Sequence, residues 1–510
     1  MMGRLALLGA LMGAAALTVG VPDALRAQPS GCSVLAGTRG SSTIGTNNGS
    51  VTHMGNPRLR CSDGRYMEAD SLVHFQASGY TNMLGRVVFR TDGRELRAAT
   101  ARYFEGIGRL EADSAVELRD LEQGTVITGE ELLYLRAGPQ RPEEQLTVTG
   151  GRPRALLYPR RDTLREDSPP PTDSITPWEV VGDRIHLVGD QYFEAQGSVG
   201  VVRDSLMAFA DSLRYDQVGG GLDLVGGPAR VVQGALDLRG EEMRILMPGD
   251  VIEEVTARRE ALLTTDSLDV DAPTIRIFMA DGVLDRLVAW VPAGTNAPAT
   301  GAPSPTAAQG PPTAQQRTAP DGEVLEEDEE PAPIRARAVG STLTMEADSL
   351  DLLAPAEQLQ RMVAIGGARA VSTARDSINR ASTPDDLLHD WIEGDTVRAI
   401  FEPSVDAAGT GEGAEAEYVL ESIEARINAR SLYRMDPDSV QRTDTTSFRG
   451  RIPVNYTEAQ SIVLFFVEGE VKRMEFEGLQ RGIQLQPVRT PADTARAEPN
   501  GTGGGEEPHP

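Results

Sequence analysis

The chain has 510 residues, with 49 basic and 76 acidic side chains and a formal net charge of −27. That length exceeds one ordinary domain unless the chain is an elongated repeat array. The acidic balance excludes a binder of nucleic acid or of an anionic membrane surface, because both require basic patches. Lys472 is the only lysine, as a GC-rich coding bias produces, so lysine chemistry is excluded almost everywhere. The five histidines (His53, His74, His186, His389, His509) are scattered and leave little for a histidine metal site.

From the N-terminus, Arg4 and the apolar run 5–19 have the form of a secretory signal, too short to span a membrane comfortably. Ala24-Leu25-Arg26-Ala27 offers cleavage after Ala27, so 1–27 is expected to be removed. Gly31-Cys32 leaves lipid attachment at Cys32 as an alternative, although Pro29 stands where such a motif wants leucine. Cys32 and Cys61 are the only cysteines. In an exported protein two cysteines read as one disulfide, with two free thiols as the other reading. Residues 28–64, rich in Gly, Ser, Thr and Asn, read as a flexible lead-in.

Three blocks follow, at 65–159, 178–291 and 335–487. A polar, proline-rich break at 160–177 separates the first two. The stretch 292–334 separates the others; its Pro/Ala composition and acidic run 326–330 make it an expected disordered linker. Loop insertions are expected at 403–416 and 436–451, and a disordered tail at 488–510. No second apolar run of about 20 residues occurs, so the mature chain is expected to be soluble.

Within the blocks the dominant period is two: Val199-x-Val201, Leu222-x-Leu224, Leu236-x-Leu238 and Ile275-x-Ile277. Turn residues punctuate these runs, the pattern of many short antiparallel strands. One short helix is predicted at 383–391, from Thr383 as cap and Pro384 at the first helical position.

Three signatures recur. The first is a small residue, an acidic one, then apolar residues three and five positions after the small one. It occurs as Ala210-Asp211-Ser212-Leu213-Arg214-Tyr215, and again starting at Gly129, Gly182, Gly240, Thr265 and Ala347. Strand alternation puts the two apolar residues on one face and the residue between them on the other. The acidic residue reads as a solvated turn or cap at a strand start. The second is a glycine followed by alternating apolar residues, at Gly85, Gly197, Gly227 and Gly367; Gly85 to Ala98, Gly197 to Ala210 and Gly227 to Gly240 share a spacing of 13. The third, as in Ile252-Glu253-Glu254-Val255-Thr256-Ala257, suggests a tight reversal and then a new strand. Its other copies start at Ile107, Leu284, Leu359, Leu420 and Val471. A strand pair of this kind cannot bury its apolar face alone, so stacked units should share one continuous interior.

These repeats resemble the OstA-like domain of the bacterial lipopolysaccharide-transport proteins LptA, LptC and the N-terminal part of LptD. The resemblance is carried by 192–216 and 222–246, by 67–135 and by 344–371, and covers about 300 residues. The chain departs from that pattern in being much longer than a single-domain shuttle and in having no C-terminal barrel. It also lacks an N-terminal anchor unless 5–19 is retained. The resemblance implies an all-β fold: an incompletely closed, grooved β-jellyroll (a β-taco), or a solenoid-like stack of antiparallel strands. It implies that lipopolysaccharide or a related glycolipid lies with its acyl chains in an apolar groove, in the periplasm and in possible association with the outer membrane. It also implies edge-strand pairing with other OstA-domain export proteins.

The groove candidates are Leu132, Tyr134, Ile185, Leu187, Val199, Val201, Leu213, Tyr215, Met243, Ile245, Leu268, Val270, Leu350 and Leu352. No catalytic residue, metal site or cofactor is expected. There is no His pair at ligand spacing, no Cys-x-x-Cys and no phosphate loop, and Asp269-Val270-Asp271 lies in turn-like surroundings. The other reading open to the sequence is a structural, extracellular β-repeat scaffold or adhesin whose apolar face forms a closed core without lipid.

Overall fold

The computed structural model describes residues 31–158, 176–295, 333–379, 383–403, 418–435 and 453–485, apart from positions 48, 92, 190, 191, 217, 281 and 468. The signal at 1–27, the tail and most of each expected linker or loop insertion lie outside these residues. Among the described residues there is no α-helix, and 30 strands join in one antiparallel sheet.

The repeating unit is a long strand bent in the middle. In Tyr192–Arg203 the half before the bend pairs with Arg184–Val188, and the half after it pairs with Trp178–Val181. The next strand, Leu206–Asp216, pairs with both halves, and the register slips by one residue between Gln196 and Val199. Such a slip is a β-bulge, which bends the strand and increases its twist. Equivalent slips recur from strand to strand, among them Leu84/Val87, Phe209/Ser212, Val225/Ala229, Arg239/Glu242, Arg258/Ala261, Ile365/Ala368 and Arg426/Ala429. The bulges therefore align into one fold line across the sheet. On either side of it runs an uninterrupted hydrogen-bonded arm. The first arm contains 80–84, 192–196, 212–216, 361–365 and 461–467. The second contains 87–90, 199–203, 206–210, 368–372 and 454–458. The tips below are the strand ends farthest from the fold line.

Burial shows the arms folded face to face. Buried residues alternate along each half, and the buried parity changes at the bend: Ala208 and Ala210, then Leu213, with Tyr215 half-buried. The added bulge residue keeps both halves facing inward.

All the small–acidic signatures except Thr265-Asp266 mark this fold line; the copies at Gly182, Thr265 and Ala347 precede strands as expected, and the other three correct that expectation. Ala210-Asp211, Gly240-Glu241 and Gly129-Glu130 lie inside continuous strands at the bend, not at strand starts. Strands continue through these points because both halves have a core to cover. The first two signatures are also partners. Asp183 N–H donates to Gln196 O (2.9 Å) and Gly197 O (3.1 Å), and Asp348 N–H donates to Gly366 O (3.1 Å), beside Gly367. The third signature stands at or just before the start of a strand, as at Arg109–Asp120, Glu254–Thr264 and Arg361–Ser372.

Two other expectations are corrected. The lead-in contains the strands Cys32–Val34, Arg39–Thr46, Gly49–Gly55 and Arg58–Cys61, held by backbone ladders although their side chains are mostly exposed. The sulfurs of Cys32 and Cys61 are bonded across the first of these pairings. In the predicted helix only Asp385–Leu387 makes a single 3₁₀ turn. The strand Asp390–Pro403 begins at once, because Ile392 belongs to the core.

The three blocks are one sheet. Gln145–Thr149 pairs with Arg184–Val188 and Arg154–Leu157 with Trp178–Val181, so both arms cross the first boundary. Leu268–Ala280 pairs with Ala336–Gly340, and Val283–Trp290 pairs with Ser349–Leu353, so both cross the second.

Candidate functional site: the space between the arms

All fourteen candidate residues face the interior. Leu132, Ile185, Leu187, Val199, Val201, Leu213, Met243, Ile245, Val270, Leu350 and Leu352 are buried in one continuous apolar cluster. Tyr134, Tyr215 and Leu268 are half-buried against it. The intervening side chains point outward as alternation requires: Arg214 lies 3.7 Å from Glu194, Arg244 lies 3.4 Å from Asp223, and His186 meets the Thr147 hydroxyl at 2.9 Å. The resemblance implied an open groove. Here the side chains of the two arms fill the interior.

One gap interrupts this packing. Leu157, Trp178, Val180 and Val201 of the second arm face Leu213, Tyr215, Leu222 and Met247 of the first across a narrow cleft that leaves about 10 Å³ of free space. Several of these residues lie near the tips, so the cleft sits at the mouth of the folded sheet. Its lining is entirely apolar apart from the Tyr215 hydroxyl and the Trp178 indole N–H. The Arg203 guanidinium stacks over the Trp178 ring at 4.9 Å, placing positive charge at the rim. Val201, Leu213 and Tyr215 were legible from alternation. Leu222 was marked by the pair Leu222-x-Leu224, and Trp178 and Val180 form an alternating pair that would have flagged them. Leu157 and Met247 lie at a strand end and just beyond one, where period two has too few repeats to be read.

Elsewhere polar bridges join the tips. Arg94 of the second arm pairs with Glu144 of the first and donates to Gly189 O at 3.2 Å. Arg65 lies 3.4 Å from Glu105 and stacks over the Tyr103 ring at 4.9 Å, while Arg136 lies 3.1 Å from Asp63. Gln233 donates to Gly282 O at 3.2 Å. Burial and the bond to Glu144 push the Tyr134 hydroxyl far above its ordinary range, so it stays protonated and donates to Glu144 at 2.7 Å. Burial alone would raise Asp63, but Arg65 and Arg136 outweigh it and hold its carboxyl below the ordinary value.

In the third block a buried ion cluster fixes the connection between Ser372 and Asp390. Arg434, fully buried, lies 2.9 Å from Asp390 and 3.1 Å from Asp376, which in turn meets His389 at 3.0 Å. Arg375 stacks over Tyr433 at 4.6 Å. Each charge here has an opposite partner, as burial demands. The arrangement is structural: it closes this end of the mouth. Among the described residues, no three His, Cys, Asp or Glu side chains are grouped to hold a metal.

No protein-family model matches the chain, and no curated protein is significantly similar to it.

Proposed function

We propose that the chain is a periplasmic carrier or bridge component. It would hold an acyl chain of lipopolysaccharide or a related glycolipid between its arms on the way to the outer membrane. The observation that carries this reading is the apolar cleft between Trp178 and Tyr215, continuous with an apolar interior that runs the length of both arms. Transfer of a methylene out of water is worth about 0.8 kcal/mol, so a chain of about twelve carbons supplies on the order of 10 kcal/mol. Part of that must go to separating the arms. Non-directional attraction lets a chain slide along the interior, as a carrier requires. The outermost strands each keep one unpaired edge among the described residues: Arg39–Thr46 and Cys32–Val34 at one end, Glu470–Glu477 and Arg481–Leu485 at the other. These edges suit head-to-tail strand addition to other export components. No catalytic step is part of this reading.

The test is photo-crosslinking in cells. A photoreactive residue at 213, 215 or 245 should capture glycolipid, and one at 214 or 244 should not. The scaffold reading is favoured by one observation, the close packing of the inward residues. Folded protein with no adduct at any inward position establishes that reading and removes the carrier.

A further inference from the structure

Outward arginines on this sheet are mostly neutralised across the strands. Arg154 pairs with Glu179, Arg214 with Glu194, Arg244 with Asp223, Arg286 with Asp351 and Arg369 with Glu393. The outer face of the first arm in the third block differs. There Arg361, Val363, Thr396, Arg398, Glu424 and Arg426 line a recess of about 230 Å³. The register places Val363 opposite Arg398, Arg398 opposite Glu424, and Thr396 opposite Arg426.

The charges in this recess do not cancel. Its one carboxylate, Glu424, is engaged by Arg426 at 2.6 Å. The carboxylate of the flanking strand, Asp351, which stands opposite Val363, is held by both nitrogens of Arg286 at 2.8 and 2.7 Å. Among the described residues, Arg361 and Arg398 form no ion pair, and the Arg361 Nε is buried without a hydrogen-bond partner. Two other arginine Nε atoms are buried without a partner, but Arg109 and Arg276 each also meet a carboxylate and an aromatic ring. Arg361 meets neither. A buried cationic donor left unpaired is costly, so the position calls for an acceptor from outside the chain.

We propose that this recess binds a phosphate group. Three guanidinium groups against one carboxylate leave a net positive site. Paired N–H forks match phosphate oxygens two at a time, and the Thr396 hydroxyl adds a neutral donor. The chain as a whole carries −27 and repels anions, so affinity here is local. The site does not depend on the carrier reading, since it lies on the opposite face of the sheet from the arm interior.

The experiment is calorimetric titration of the full chain at constant ionic strength, with inorganic phosphate in one arm and a phosphorylated disaccharide in the other. Saturable binding of either, weakened at least tenfold by Arg361→Gln or by Arg398→Gln, supports the site. Binding in both arms identifies a general phosphate site, and binding of the disaccharide alone identifies a sugar-phosphate head group. Arg244→Gln, which removes an exposed arginine paired elsewhere, should change affinity less than twofold. Unchanged melting temperatures show that the variants are folded; Arg398 is exposed, so its variant tests the site even if Arg361→Gln destabilises the chain. No saturable binding in either arm, or equal weakening by Arg244→Gln, overturns the proposal.

Discussion

In several strands consecutive residues with positive φ make the bend, and they are not equally suited to that conformation. Gly197 (φ 79°) and Ser198 (φ 44°) turn one strand, while Ile427 (φ 61°) and Asn428 (φ 55°) turn another. A Cβ on Gly197 would lie 2.3 Å from the Asp183 carboxylate, so glycine serves both the conformation and the close approach. Ile427 is more than half exposed and β-branched, the residue type least tolerant of this region. Opposite outcomes follow in urea denaturation. Gly197→Ala should destabilise by about 2 kcal/mol or more, and Ile427→Asn should stabilise by about 1 kcal/mol. Equal effects of the two would mean that the bends do not hold these dihedrals.

At the level of elements, the arms are held by pairings of two kinds, ladders along each arm and polar bridges between the tips. Glu144→Gln weakens the Arg94 bridge without removing bulk. Amide exchange at the neighbouring tips, around Tyr134 and Gly189, should accelerate about tenfold, the loss of about 1.4 kcal/mol for one charge-assisted bond. Unaltered exchange there would show that the bridge does not restrain the mouth. Carboxylate–arginine pairs, within an arm as well as between the tips, set the response to acid. Burial would raise Asp63, Glu95 and Asp237, but adjacent arginines outweigh it and hold all three below their ordinary values of 3.8, 4.5 and 3.8. The unfolded chain then binds protons more readily than the folded one. Their stabilisation is therefore complete above those ordinary values and is lost as pH falls through the lower, folded ones. The melting temperature should drop on acidification below about pH 4; a melting temperature that holds or rises there contradicts the assignment.

Over the whole molecule, the three blocks behave as one sheet into which connections are inserted. The long connection between Trp290 and Ala336 leaves and returns at the fold line. Val291 N–H donates to Asp348 O (2.9 Å), Arg335 donates to Gly367 O (2.8 Å), and Asp348 N–H donates to Gly366 O (3.1 Å). Both ends therefore converge on one bend. Replacing 296–332 by a short Gly/Ser connector should shift the melting temperature by no more than about 2 °C, because loop-closure entropy changes slowly with length. A larger drop in a single cooperative transition would make those residues part of the fold.

The sequence by itself determined the all-β class and the facing of individual side chains. A strand has period two whatever it packs against, so Leu213 and Arg214 could be assigned to opposite faces before any partner was known. It also displayed the bends, as small–acidic and glycine signatures, but not their meaning. A bend and a strand start use the same residues, and only the pairing of both halves separates them. Arg39–Thr46 was illegible because no face of it is buried, so alternation had nothing to report. The capping signal at Thr383-Pro384 was local, and burial of Ile392 in a strand outweighed it. Whether the inward residues line a groove or fill a core was a tertiary decision. Parity states which side chains face in, while the distance between the arms, set by the bulges and the bridges at the tips, states whether room is left between them. That distance closes the interior nearly everywhere and leaves the cleft between Trp178 and Tyr215.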